Sequence, residues 1–226
     1  MSMRFVRPVA TASFALVALA GVAQADTLTT YSSQAAFLAA TNGGAGLGFE
    51  NYDSMASGTS SNSMSFTGGG STMVADATGS FASASNAIII VGAPFGLPSN
   101  HLASNYFVNT LRLSFAPGVN AFATDVWSYP GASTLSIDVL DSSSVVHNYL
   151  VSRPSGPGGF FGFTVSGGSV LRVVISTSGD AGGIDNTYWG NANLSVVPLP
   201  PAALAGMGGL AGVGIVGAIR RRRVAK

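Results

Sequence analysis

Leu135-Ser-Ile-Asp-Val-Leu-Asp-Ser-Ser-Ser-Val-Val-His-Asn-Tyr-Leu-Val151 alternates apolar and polar residues on either side of a run of turn formers. A period of two puts Leu135, Ile137 and Val139 on one face of an extended chain, with Ser136 and Asp138 on the other. Asp141-Ser-Ser-Ser144 is loop chemistry, so the two halves read as a hairpin with a four-residue connection. The same period recurs outward from this point. Leu111, Leu113 and Phe115 alternate with Arg112 and Ser114, and Leu171, Val173 and Ile175 with Arg172 and Val174. Turn signals fall between the runs at Pro117-Gly118, Pro130-Gly131, Pro154-Ser-Gly-Pro-Gly-Gly159, Gly167-Gly168 and Gly179-Asp180. Eight to eleven such strands with no helix between them predict an all-β, antiparallel β-sandwich of jelly-roll kind. Residues 32–40 form one short N-terminal helix, capped by Ser32 or Ser33 and stopped by Asn42-Gly43-Gly44.

The composition fits that class. Of 226 residues 47% are hydrophobic, only 8% are charged and 30 are glycine, the balance of a domain of short strands and many turns. The formal charge of +1 conceals a segregation. Between residues 26 and 196 the basic residues are Arg112, Arg153 and Arg172, set against nine acids, a net of −6 with no lysine. A nucleic-acid ligand requires a basic face to neutralise phosphates, so that class is excluded for the body. Cysteine is absent, so no disulfide staples the fold. The roughly 170 residues of the body are enough to bury a core without one.

Both ends read as export machinery. Residues 1–25 carry Arg4 and Arg7, an apolar run from Val9 to Ala20, and Ala23-Gln24-Ala25. These are the three parts of a signal peptide, with signal peptidase expected to cut before Asp26. At the other end, residues 202–219 hold 18 uncharged residues, six of them glycine, followed at once by Arg220, Arg221, Arg222 and Arg223. Eighteen residues at 1.5 Å each make about 27 Å, the lower limit for a transmembrane helix, and the basic cluster keeps the C-terminus inside. Val197-Pro198-Leu199-Pro200-Pro201-Ala202 precedes the span, an extended strip from which no helix propagates.

Proline strip, glycine-rich span and terminal arginines together, over about the last 30 residues, resemble the PEP-CTERM sorting domain in its Val-Pro-Leu-Pro-Ala subtype. Here Pro201 stands between Pro200 and Ala202. The resemblance implies processing by an exosortase, transient residence in the inner membrane of a Gram-negative cell that makes exopolysaccharide, and delivery to the surface or its matrix. The chain then divides into a signal peptide (1–25), an extracellular domain (26–196) and a sorting segment (197–226).

Chemistry within the body is sparse. Gly-x-Ser-x-Gly, phosphate-binding glycine loops and His-Glu-x-x-His are missing. His101 and His147 read as ordinary loop and strand residues, and no catalytic residue is assigned. Gly48-Phe49-Glu50-Asn51 and Gly183-Ile184-Asp185-Asn186 resemble the first and last strands of carbohydrate-binding jelly-roll modules. The resemblance implies that the two strands lie side by side and that Glu50 and Asp185, with Asp53 near, hold a structural Ca²⁺. Trp127 and Tyr129, at i and i+2 on one face, are candidates for stacking on a sugar ring, whereas Phe161 and Phe163 are assigned to the core. The expected function is a non-enzymatic surface or matrix protein with exopolysaccharide as candidate ligand. The alternative is a secreted polysaccharide hydrolase using a pair of carboxylates.

Overall fold

A computed structural model describes residues 27–92, 99–106, 110–129, 133–153, 159–177 and 181–194. The signal peptide, the proline strip, the 202–219 span and the arginine cluster lie outside them. Along the chain run β1 (Thr27–Tyr31), α1 (Gln34–Ala40), β2 (Leu47–Glu50), β3 (Ser60–Ser61), β4 (Ser63–Gly68), β5 (Ser71–Thr78), β6 (Ile88–Val91) and β7 (His101–Ser104). Then follow β8 (Thr110–Val119), β9 (Ala121–Tyr129), β10 (Ser133–Asp141), β11 (Val146–Arg153), β12 (Gly159–Ser166), β13 (Val170–Thr177) and β14 (Ala181–Gly190). All pairings are antiparallel and fall into two sheets. The larger has the order β1-β12-β9-β14-β7-β6-β3, with β2 also beside β14; the smaller has the order β11-β10-β13-β8-β5-β4.

The alternation seen in the sequence is the inner lining of the smaller sheet. Leu111, Leu113, Leu135, Ile137 and Val139 are wholly buried, opposite Phe122, Phe163, Val126 and Ile184 from the larger sheet, in one shared core. Phe161 and Phe163 belong to that core as expected. The hairpin closes with Leu140 opposite Val146. One strand departs from its pattern. The register of β13 shifts between Val170 and Arg172, so Val170 turns inward and Leu171 is left 40% exposed. A bulge adds one residue and exchanges the faces, which a simple period of two cannot anticipate.

The short strands of the Gly/Ser-rich first half, β1 to β4, carry no long alternation, and the fourteen strands of the described residues exceed the expected eight to eleven for that reason. The helix is as expected. Ser33 caps it by accepting a hydrogen bond from the Ala36 amide, and it ends in the turn at Asn42–Gly44. Phe37 from this helix lies over Ala121 and Ala123 of β9 and among Tyr31, Phe160 and Tyr188 on the outer face of the larger sheet. A Cβ on Gly162 would come within 3.2 Å of the Phe37 ring, so small residues beneath the helix set its distance from the sheet. The helix covers one end of that face.

The two sheets are clamped at one point. Gly69 and Gly70 form the two-residue turn of the β4–β5 hairpin, both at positive φ. That turn lies against β2 and the end of β14, and the Gly69 carbonyl accepts the Asn191 amide at 3.3 Å. Trp189 fills the core beside it, its ring packed over Gly48 and Gly68.

The β10–β11 loop is tied by Asp141, whose Oδ1 accepts the Ser143 and Val145 amides at 2.9 Å and whose Oδ2 lies 2.9 Å from His147 Nε2. Burial works to raise this carboxyl, but His147 and the two amides outweigh it and hold it below the ordinary aspartate value. A carboxyl depressed on folding contributes stability above its unfolded pKa and loses it as pH falls through the folded one. The stability advantage of the wild type over Asp141→Asn is therefore expected to hold just above pH 4 and to shrink on acidification below about pH 4. Urea titrations of both proteins between pH 5 and pH 2 check this.

Candidate functional site

Three polar side chains line up across the outer face of the larger sheet, Asp125 half-buried and the other two buried. Val126 and Ile184 point into the core, so Asp125 and Asp185 point to the outer face, directly opposite one another on β9 and β14. On the other side of β14, Leu102 aligns with Ile184, which places His101 beside Asp185. The row reads Asp125, Asp185, His101. Like charges directly opposite across a sheet repel, so the row needs compensating partners.

Asn186 supplies some of them. The register of β14 shifts between Asp185 and Tyr188, and Asn186 takes a positive φ of 46°, a conformation Asn tolerates better than most residues. There its Nδ2 donates to Asp125 Oδ2 at 2.9 Å, while its amide donates to Asp185 Oδ1 at 2.7 Å. The Ser99 hydroxyl donates to Asp185 Oδ2 at 2.7 Å. Asp53 adds a third carboxylate at the rim, accepting the Asn100 amide at 3.0 Å and the Asn51 side chain at 3.1 Å.

His101 is closed in. Its side chain is 1% exposed, and its Nδ1 lies 2.8 Å from the Ser99 carbonyl. Gly183 places no side chain between Trp127 and Ala103, so Trp127 reaches across β14 and its ring stands perpendicular to the imidazole at a centroid distance of 4.3 Å. His101 Nε2 has no hydrogen-bond partner among the described residues and faces Asp185 Oδ2 at 3.9 Å. Burial lowers the imidazole pKa against the pull of Asp185, the Ser99 carbonyl, Asp125 and Asp53, which favours the neutral ring. Burial also raises the Asp125 carboxyl, helped by the charge of Asp185 and opposed by Asn186 and His101.

The bulge rests on a chain of buried hydroxyls. Tyr52 donates to Thr187 at 3.0 Å, Thr187 and Thr124 are 2.9 Å apart, and Thr124 donates to the Asp185 carbonyl at 2.8 Å. One proton per hydroxyl fixes the direction, from Tyr52 to Thr187 to Thr124 to the Asp185 backbone.

The expected calcium pair is not brought together on one face. β2 does lie beside β14, with Glu50 opposite Thr187. In a regular strand Thr187 would share a face with Asp185, two residues away. The bulge at Asn186 reverses this: Thr187 turns inward to Tyr52, and Glu50 Oε1 instead accepts the Tyr52 amide at 2.8 Å. The acid opposite Asp185 is Asp125, and both act with Asp53 on His101. Among the described residues no group of three or more His, Asp or Glu side chains could hold a metal ion. Trp127 is 8% exposed and packed on His101, so it offers no open platform for a sugar ring. Tyr129 ends β9, and its side chain lies outside the described residues.

Asp125, Ser99 and His101 were not singled out in the sequence. The signal for Asp125 is a carboxylate inside the otherwise apolar or small Ala121-Phe-Ala-Thr-Asp-Val-Trp127 run; His101 gives none before the strands are assembled.

No family model matches this chain, and no curated protein matches it. Among solved structures it is similar to a mutant of the family 29 carbohydrate-binding module CBM29-2, at 14% identity and a TM-score of 0.34, covering 68% of this chain and 99% of that one. It is also similar to the module TmCBM61 in complex with β-1,4-galactotriose, at 15% identity and a TM-score of 0.29, over 51% of this chain and 86% of that one. A third likeness is to the enzymatically active domain of tailspike protein 4 of bacteriophage CBA120, at 17% identity and a TM-score of 0.29, over 52% of this chain and 19% of that one.

Proposed function

We propose that this chain is an exported surface or matrix protein whose jelly-roll-like sandwich binds an uncharged glycan without turning it over. The supporting observation is the acidic row on the outer face of the larger sheet, where Asn186 donates to Asp125 and Asp185 and, at the rim, Asn51 donates to Asp53. The arginines that the structure describes with partners or burial, Arg112 and Arg172, are on the smaller sheet. Carboxylates and amides fixed in this way accept from and donate to sugar hydroxyls, while their negative charge repels polyanions.

The test is a glycan array followed by titration of the best ligand. Asp125→Asn and Asn186→Ala are expected to weaken binding at least tenfold, about 1.4 kcal/mol, while Asn148→Ala on the other sheet leaves it unchanged. Binding to no glycan would leave a structural matrix component instead. A hydrolase is the second reading, favoured by the raised Asp125 carboxyl beside Asp185, since such pairs divide acid and base roles. Turnover of the bound glycan, lost in Asp125→Asn, would establish it.

Delivery rests on the two ends. With Ala23 and Ala25 as the cleavage signal, the mature chain begins at Asp26. Pro198 and Pro200 keep the processing strip open to exosortase while Arg220–Arg223 retain the tail in the cytoplasm. Each arginine opposes insertion by about 2.5–3.5 kcal/mol at the bilayer centre. Replacing all four by alanine is expected to release unprocessed protein. Replacing Pro198 and Pro200 by alanine is expected to trap the chain at the inner membrane with its tail intact. Fractionation with mass spectrometry checks both; normal processing of both variants would reduce the tail to a weak anchor.

A further inference from the structure

The edges of the two sheets are not alike. Among the described residues the larger sheet ends in β1 and β3, the smaller in β4 and β11. On the first three the exposed side chains carry hydroxyls: Thr27, Thr29 and Thr30 on β1, Ser60 on β3, and Ser63, Ser65 and Thr67 on β4. β11 instead exposes Val146 at 55% and Leu150 at 72%, with exposed Asn148 between them. Lysine, acids and proline, which ordinarily keep an edge from pairing, are all missing from residues 145–152.

The same residues carry the free backbone. Asp141 donates its amide to the Val145 carbonyl at 3.0 Å, and bonded and unbonded pairs alternate along an antiparallel ladder. His147, Tyr149 and Val151 therefore bond to β10, while the amides and carbonyls of Val146, Asn148 and Leu150 point away from it. The strand is already held in place. Tyr149 packs against Phe161 at a centroid distance of 5.5 Å, His147 lies on Asp141, and Asn148 Nδ2 donates to Ser136 and Asp138. A template ordered in advance loses little entropy when another strand is added to it.

We infer that β11 pairs antiparallel with β11 of a second copy of this chain, joining two smaller sheets into one continuous sheet about a two-fold axis. The strand is complementary to itself, as such a contact demands. An axis beside Asn148 sets Asn148 opposite its own copy, and Val146 of each chain opposite Leu150 of the other. Val146 and Leu150 share the outer face and become bonded neighbours about 5.5 Å apart, so each shields the other from water. About six backbone hydrogen bonds close the ladder. Charge points to the same line of approach. The body carries a net −6, so two copies repel over much of their surface, whereas β11 holds no acid. The acids of the neighbouring β10, Asp138 and Asp141, are bonded to Asn148 and His147. The contact lies on the sheet opposite the acidic row, so it stands whether or not a glycan binds there.

The experiment uses the full chain in mild detergent, with sedimentation and cross-linking as readouts. The wild type is expected to sediment as a dimer. Val146→Lys combined with Leu150→Lys is expected to weaken that dimer by about tenfold or more, with the far-UV circular dichroism unchanged because both side chains are exposed. A second variant leaves Val146 and Leu150 in place. The chain has no cysteine, so Asn148→Cys puts a single thiol on the axis, about 5.5 Å between Cα atoms and within disulfide reach. Mild oxidation should link Asn148→Cys into a covalent dimer far faster than Ser65→Cys on the β4 edge. The apolar ends of the chain can associate in detergent by themselves, so a dimer that persists unweakened in the double-lysine variant overturns the proposal. So does a wild type that stays monomeric up to about 100 µM. Linking at Ser65 as fast as at Asn148 overturns it as well, since another edge would then be the one that pairs.

Discussion

Gly69→Ala is expected to destabilise the body by about 4 kcal/mol or more, the size reserved for backbone collisions that the fold cannot absorb. Two effects add. At a φ of +58° a side chain is strained wherever it stands, which costs on the order of 1 kcal/mol. The new Cβ would also lie 2.3 Å from the Trp189 carbonyl oxygen and 2.5 Å from the Gly48 nitrogen, both backbone atoms of the larger sheet. Neither can yield without parting the sheets where they are clamped. Gly70 is the matched control. It has a φ of +72° and nothing within 4 Å of its Cβ position, so Gly70→Ala should show the conformational cost alone. At roughly 2–4 °C per kcal/mol for a domain of this size, the melting temperature should drop by roughly 10 °C or more for Gly69→Ala and by only a few degrees for Gly70→Ala. Equal drops would show that the contact is soft and that only φ matters.

Thr187→Val is expected to cost about 1–3 kcal/mol, although valine has the shape of threonine, because it strands the buried Tyr52 hydroxyl without an acceptor. Burial, together with the charges of Glu50 and Asp185 and against the Thr187 hydrogen bond, pushes the Tyr52 hydroxyl far above its ordinary range. It therefore stays protonated and keeps its need for an acceptor. Adding Tyr52→Phe removes the stranded group, so the double variant should be more stable than Thr187→Val alone. Denaturant melts of the four proteins form a double-mutant cycle. Simple additivity would mean that the hydroxyl chain does not act as a unit. Because the chain ends on the Asp185 carbonyl, a functional assay on Thr187→Val also reports whether the bulge sets the outer row.

The strands of the smaller sheet were legible because one face is buried and the other wet, which writes a period of two directly into 111–115 and 135–151. The exception, Leu171, stands beside a bulge that no local pattern announced. The adjacency of β2 and β14 was legible as well. The facing of Glu50 and Asp185 was not, since a single extra residue at Asn186 exchanges the faces. Asp125 and His101 come together only across a strand that arrives much later in the chain, so neither residue carries a local mark of the other. Trp127 misled for a related reason. Alternation tells which residues share a face, but not that Gly183 opens the way for this ring to fold down onto His101.

The position of β14 also governs when the molecule can come into existence. The last described strand occupies the middle of the larger sheet, between β9 on one side and β7 and β2 on the other. A chain made from its N-terminus holds β9 on one flank and β7 and β2 on the other, with the edges that face β14 unpaired, until 181–190 have emerged. The clamp at Gly69 waits for the same residues, because its contacts are to Trp189, Gly190 and Asn191. Closure by such distant segments is slow, and a nascent chain in this condition is threadable. If the chain crosses a membrane in extended form, the smaller sheet has all its strands by Thr177, but the larger sheet locks only when 181–190 arrive.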